Sequence, residues 1–142
     1  MKLLSRLTRS TLLLGTLLVG LAACNTTTDV EGELTGTYTA TIFEITPEGE
    51  SKIDVLAAGG SLQLIINDES RVTGQLVLPA SIEGGINAPM IGTAIISGST
   101  VNFEQTSDTF VRDLNWTRTG TSLTVENQIR NGTAYTVTLT RQ

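Results

Sequence analysis

A chain of 142 residues is long enough for one domain with a single core, and its charge narrows what that domain can hold. Fourteen acidic side chains against nine basic ones disfavour nucleic acid, whose phosphates require clustered Lys and Arg. No histidine is present for the usual zinc sites or for His-based triads, and one cysteine cannot form an internal disulfide, so stability has to come from packing and strand pairing.

Lys2, Arg6 and Arg9 precede the apolar run Thr11 to Leu21, the pattern of a secretory signal helix. From Leu12 to Ala23 there are twelve residues, whereas a membrane-spanning helix needs about 20, so a retained transmembrane helix is not expected. Leu21, Ala22, Ala23 and Cys24 resemble the lipobox of bacterial lipoproteins, in which a cysteine follows small residues and a leucine three positions before it. The resemblance implies lipidation at Cys24: the thiol is diacylglycerylated, the chain is cut just before it, and the new amine can be acylated. A buried structural cysteine is the alternative, and the polar neighbours Asn25, Thr26, Thr27 and Thr28 argue against it. Two acyl chains contribute about 0.8 kcal/mol per buried methylene and hold stably where one is reversible. In lipoproteins of Gram-negative bacteria an Asp after the cysteine commonly signals retention at the inner membrane. Asn25 at that position implies a cell-envelope protein of the outer membrane.

These features divide the chain into a signal peptide (1–23), a lipidated cysteine with a flexible tether (24–33) and a folded domain (34–142). Removing the signal leaves Lys52, Arg71, Arg112, Arg118, Arg130 and Arg141 against all fourteen acidic residues. Such a domain is not drawn to anionic head groups, so contact with the membrane is expected through Cys24. Asn25 to Glu33 lacks periodicity and reaches at most ~30 Å when extended.

From Leu34 onward Thr, Val and Ile alternate with polar residues, and Gly or Asn/Asp clusters interrupt them at short intervals. A first long strand is predicted over about Gly36 to Thr46, turned by Pro47, Glu48, Gly49 and Glu50. Asp54 before Val55, Leu56, Ala57, Ala58 and Gly59 predicts an N-capped helical turn that plugs one end of the sheet. Strands over about Leu62 to Asn67 and Arg71 to Leu78 form a hairpin through Asp68, Glu69 and Ser70. Pro79 to Pro89, with two prolines and two glycines, reads as the one long loop, and loops of this length are often functional.

Strands at about Ile91 to Ser97 and Thr100 to Gln105 meet at Gly98 and Ser99, a two-residue hairpin signal. Thr106 to Asp113 is expected to make a helical turn that tucks Phe110 into the mouth of the domain. The last three strands run over about Leu114 to Thr119, Ser122 to Arg130 and Thr133 to Gln142, broken at Gly120 and at Asn131 and Gly132.

Eight strands with short antiparallel connections predict an all-β fold, a small up-and-down β-barrel that removes its edges by closure. A β-sandwich is the alternative. The inward set is expected to be Tyr38, Ile42, Leu62, Leu64, Ile66, Leu76, Leu78, Ile96, Val101, Phe103, Leu114, Trp116, Leu123, Val125, Tyr135, Val137 and Leu139. The other face is rich in threonine, unlike the apolar outer band of a membrane-spanning barrel.

Gly36, Thr37 and Tyr38, a Gly-x-aromatic triplet opening the first strand, loosely resemble the lipocalin and wider calycin pattern. Those families usually carry tryptophan there, packed under a basic residue from near the last strand. The corresponding residues here are Tyr38 and either Arg141 or Arg130. The barrel architecture and the apolar inward set point to a lipid-anchored domain that binds a small apolar ligand, with Tyr38, Phe103, Phe110 and Trp116 as the ligand contacts and Asp108, Arg112 and Asp113 at the mouth for its polar end; the alternatives are that Phe103 and Trp116 are core residues and that Asp108, Arg112 and Asp113 form a salt bridge that holds the loop.

No catalytic residues and no cofactor are expected: no serine lies in Gly-x-Ser-x-Gly, and no histidine can act as its base. Asp68 and Glu69, like Glu48 and Glu50, lack the spacing of an EF-hand loop and read as turn residues. The competing function is a non-enzymatic interaction or inhibitor-type lipoprotein with a filled core, engaging an envelope protein through loop 79–89. Small lipid-anchored barrels of that kind include bacterial protease inhibitors. An open apolar cavity favours the first reading, and a solid core with an exposed apolar loop the second.

Overall fold

The computed structural model describes residues 34–82, 84–105 and 108–142. Cys24, its lipobox and the tether lie outside the described residues. Ten strands form one antiparallel sheet: β1 (Gly36–Pro47), β2 (Ile53–Asp54), β3 (Ser61–Ile66), β4 (Arg71–Leu78), β5 (Ile86–Pro89), β6 (Gly92–Ser97), β7 (Thr100–Gln105), β8 (Trp116–Thr119), β9 (Ser122–Arg130) and β10 (Thr133–Arg141). Eight of them close into a barrel, because β1 pairs with β3 on one side and with β10 on the other. β2 and β5 lie outside the closed ring. The closed barrel, not the sandwich, is the architecture.

Turn chemistry sets the register. Asn131 and Gly132 have φ of 49° and 82°, the left-handed pair that a type I′ hairpin needs, and they join β9 to β10 with Arg130 opposite Thr133. Gly98 (φ 60°) and Gly120 (φ 57°) open the two-residue turns between β6 and β7 and between β8 and β9. In the β3–β4 connection the Asn67 carboxamide accepts from the N–H groups of Glu69 and Arg71, and Ser70 takes φ 60°. Asp54 caps as expected: its Oδ1 accepts from Ala57 N at 3.0 Å. The segment it opens is a series of turns, not a helix, and it buries Val55 completely.

Two β-bulges redirect side chains that strict alternation places on the other face. In β1 the pairing with β10 steps between Ala40 and Ile42, and Thr41 is the extra residue. Ile42 therefore faces outward at 44% exposure, and Phe43 takes the inward place at 1%. In β9 the step falls between Val125 and Gln128, where Asn127 has φ 45° and its N–H donates to Thr136 Oγ1. Beyond this bulge Gln128 turns toward the mouth and Ile129 turns out, with 64% of its surface exposed.

The C-terminal part of the stretch expected to be one loop is a strand. Ile86 to Pro89 pairs with β4 as β5, and β6 carries on the same antiparallel register with β4: Leu78 faces Ile86, Gln75 faces Pro89 and Arg71 faces Thr93. Met90 N donates to Gly74 O at 3.0 Å across the gap between them. In the remaining connection Ile82 N donates to Pro79 O and Gly85 N to Ile82 O, and Ile82 is buried at 2% exposure. Gly74 admits β3 closely: a Cβ there would lie 2.0 Å from Gln63 O, and its φ is +154°.

Most of the expected inward set is buried: Tyr38, Leu62, Leu64, Ile66, Leu76, Leu78, Val101, Phe103, Leu114, Trp116, Leu123, Val125, Tyr135, Val137 and Leu139. Ile96 is half-buried, and Ala94 fills the nearby inward position. Ile45, Val55, Val72, Met90 and Val111 complete the core from strands and plugging segments.

The two ends of the barrel differ. At one end the chain enters at Leu34 and leaves at Gln142, beside the turns after β3, β6 and β8; Gln142 N donates to Thr37 O. This is the tether end. The far end carries the connections after β1, β4, β7 and β9.

Candidate functional site

The four aromatic residues expected to touch a ligand lie in three separate places, each packed against its neighbours. Tyr38, 3% exposed, lies at the tether end with Arg141 and Arg118; Arg141 stretches over Gly36 and donates from Nη1 to Thr35 O. Burial pushes the Tyr38 phenol above the ordinary tyrosine value, against the charges of Arg141 and Arg118 and a hydrogen bond with Arg141. Of the two basic residues proposed to meet the aromatic, Arg141 is therefore the one that does. Arg130 sits at the far end, donating from Nε to Asp113 O at 2.7 Å.

Phe103 and Trp116 form the second place. Their rings meet edge to face at 5.8 Å, and the Trp116 indole N–H donates to Val111 O at 3.1 Å. Both are buried, Trp116 completely. Phe110, half-buried, forms the third: it opens the 3-10 turn Phe110–Asp113 at the far end, stacks on Tyr135 at 4.5 Å and tilts against Phe43 at 6.1 Å. This is the expected tuck into the mouth, and Val111 beside it is fully buried.

Exposure measures space inside as well as outside, since a residue lining an internal cavity has surface that a water molecule can touch. Ile45, Val55, Leu62, Leu64, Leu76, Met90, Val101, Val111, Trp116, Leu123, Val137 and Leu139 are all 0% exposed. No water fits beside any of them. Among the described residues every buried side-chain nitrogen and oxygen also has a hydrogen-bond partner, so none points to a missing polar ligand.

The acidic and basic groups at the mouth meet as exposed ion pairs. Arg112 Nη2 lies 2.5 Å from Asp108 Oδ1, and its Nε lies 3.6 Å from Asp113 Oδ1. Such pairs hold a turn weakly, at about 0–1 kcal/mol. Among the described residues no group of three or more Asp, Glu, His or Cys is placed to hold a metal ion.

Three clefts among the described residues lie on the outer surface. A cleft of about 510 Å³ lies over β4 and β6, lined by Arg71, Thr73, Ile91 and Thr93 among others; a second of about 490 Å³ lies over β8 and β9 around Thr117, Thr124 and Gln128. A third of about 480 Å³ sits on the far rim, between the β1 turn (Pro47, Glu48, Gly49, Glu50) and the β9–β10 hairpin (Ile129, Gly132, Ala134). Thr46, Ala134 and Ile129 form one cross-strand row along its floor. Glu48 leans over the hairpin, with its Oε2 3.1 Å from where a Gly132 Cβ would stand.

The rim cleft is the strongest candidate, and sequence reasoning missed it. Ile129 reads as an inward residue under strict alternation from Leu123 and Val125. Only the left-handed turn at Asn127 sends it outward. The same bulge places Gln128 to bind the segment before β8: its Oε1 accepts from Asn115 N at 2.8 Å and its Nε2 donates to Asp113 O at 3.2 Å. No protein-family model matches the chain, and no curated protein or solved structure matches it significantly.

Proposed function

We propose that this chain is a lipid-anchored, non-enzymatic protein of the cell envelope that engages another envelope protein with the far end of its barrel. The observation that carries the reading is the filled interior. Side chains that a small apolar ligand would have to displace are packed against one another, and a ligand pocket needs at least about 300 Å³ of internal space. Packing on that scale favours the interaction reading over the carrier reading.

Chain direction supplies the orientation. The lipobox and tether precede Leu34, which lies at the tether end, so anchoring through Cys24 keeps that end nearest the bilayer. The four far-end connections then face away from it. Asn25 after the lipidated cysteine favours the outer membrane in a Gram-negative host. Loop 79–85 contributes Ala80 and Ser81 as exposed contacts, while Ile82 belongs to the core and is not available to a partner.

Photo-reactive residues incorporated singly into the full chain in its native host test this. Positions Ser81 and Asn131 at the far end should crosslink one discrete protein band. Positions Asp68 and Ser99 at the tether end should not. Crosslinks confined to the tether end, or to none of the four, would contradict the proposal.

A further inference from the structure

Three independent features coincide at the far rim. The β9 bulge spends an irregular backbone on turning Ile129 outward, and bulges characteristically re-aim side chains at functional places. Ile129 is, at 64%, the most exposed large apolar residue among the described residues, and it lies beside Ala134 in a cleft whose far wall begins at Pro47. The wall continues into Glu48 and Glu50.

Neither Glu48 nor Glu50 has an ion-pair partner among the described residues. The cations nearest in sequence are engaged elsewhere: Lys52 Nζ lies 2.8 Å from Glu44 Oε1, and Arg130 Nε donates to Asp113 O. A largely apolar cleft beside two carboxylates that form no ion pair among the described residues complements one kind of occupant.

We infer that the rim cleft receives an apolar side chain carried on a lysine- or arginine-bearing segment of the partner protein. This deepens the interaction reading above and rests on it. Burial of one anchor residue in such a cleft supplies most of the affinity, and the flanking charges select the segment and speed its approach. The cleft, at about 480 Å³, has room for one or two side chains. An acidic segment is repelled, and a basic but wholly polar one gains nothing from Ile129.

The test uses the full acylated chain in phosphatidylcholine nanodiscs and three fluorescent nonapeptides, with empty nanodiscs as the control. One peptide has a Lys-Leu-Lys centre, the second replaces Leu with Ser, and the third replaces both Lys with Glu. Fluorescence anisotropy should show saturable binding of the first and roughly tenfold weaker binding of the other two. Raising NaCl from about 0.05 M to about 0.5 M should weaken the first several-fold through screening. Ile129→Ser should weaken it about tenfold while Ile129→Val does not, as expected of an anchor residue. The double variant Glu48→Gln, Glu50→Gln should remove most of the salt dependence.

Equal binding of the Leu and Ser peptides, or indifference to Ile129→Ser, would overturn the inference. So would light scattering that shows a dimer dissociated by Ile129→Ser, because the occupant is then a second copy of this chain. Far-end crosslinks in cells that survive Ile129→Ser leave the interaction reading standing and remove only this one. Loss of all far-end crosslinks from the unsubstituted chain removes both.

Discussion

Truncating Trp116 distinguishes a packed barrel from a carrier caught empty. Its side chain is 0% exposed, it meets Phe103 edge to face, and its indole N–H satisfies Val111 O. Trp116→Ala removes a large buried aromatic, a change that costs about 3–5 kcal/mol in a packed core. It also strands the Val111 carbonyl, worth about 1–3 kcal/mol if water cannot reach it. The two overlap, so the expected loss is about 4–5 kcal/mol. Trp116→Phe keeps most of the volume and the ring contact but not the donor, and should cost about 2 kcal/mol. Urea denaturation followed by far-UV circular dichroism measures both, since the substitution removes the only tryptophan and with it the fluorescence signal. The Ala variant should also gain a dry cavity able to take benzene or xenon, which the unsubstituted chain excludes. A loss below about 1.5 kcal/mol for Trp116→Ala is what a residue lining an empty pocket gives, and it would refute the packed-core argument.

Four further outcomes follow from named contacts. Gly74→Ala should destabilise by more than about 2 kcal/mol in the same urea assay, because the added methyl meets the Gln63 carbonyl and the backbone there suits glycine. Tyr38 has a raised folded-state pKa, so its contribution is present below the ordinary tyrosine value of 10.0 and is lost as pH rises through the folded value; unfolding above that ordinary value should show a decline that Tyr38→Phe flattens. Asn127→Gly should be close to neutral, while Asn127→Val should cost about 1–3 kcal/mol by straining the bulge, read from thermal unfolding. Cys24→Ala should abolish incorporation of an alkyne fatty acid into the chain and move it from the membrane to the soluble fraction on fractionation.

Much of the barrel was legible because local signals agree with the closed fold. β10 alternates strictly from Thr133 to Leu139, and its partner strands are set by turns whose glycines and Asn131 need positive φ. What the sequence hides are the places where one residue is added. Nothing around Thr41 marks a bulge, so alternation from Tyr38 selects Ile42 for the interior when Phe43 fills it. The same blindness conceals Ile129, and with it the rim cleft. β5 was concealed for a different reason: Ile86, Asn87, Ala88 and Pro89 have loop composition, yet the strand lies outside the closed ring, where a proline costs little pairing. The expected ligand residues are aromatics, and the strands carry three of them, Tyr38, Phe103 and Trp116, into the packed interior.

The central claim, a filled barrel that works through its outer surface, is tested most directly by native mass spectrometry of the full chain recovered from host membranes. The account predicts the mass of the acylated chain alone, or with a second protein that Ile129→Ser weakens. A stoichiometric small-molecule adduct that survives transfer and is released only when the barrel unfolds would contradict it.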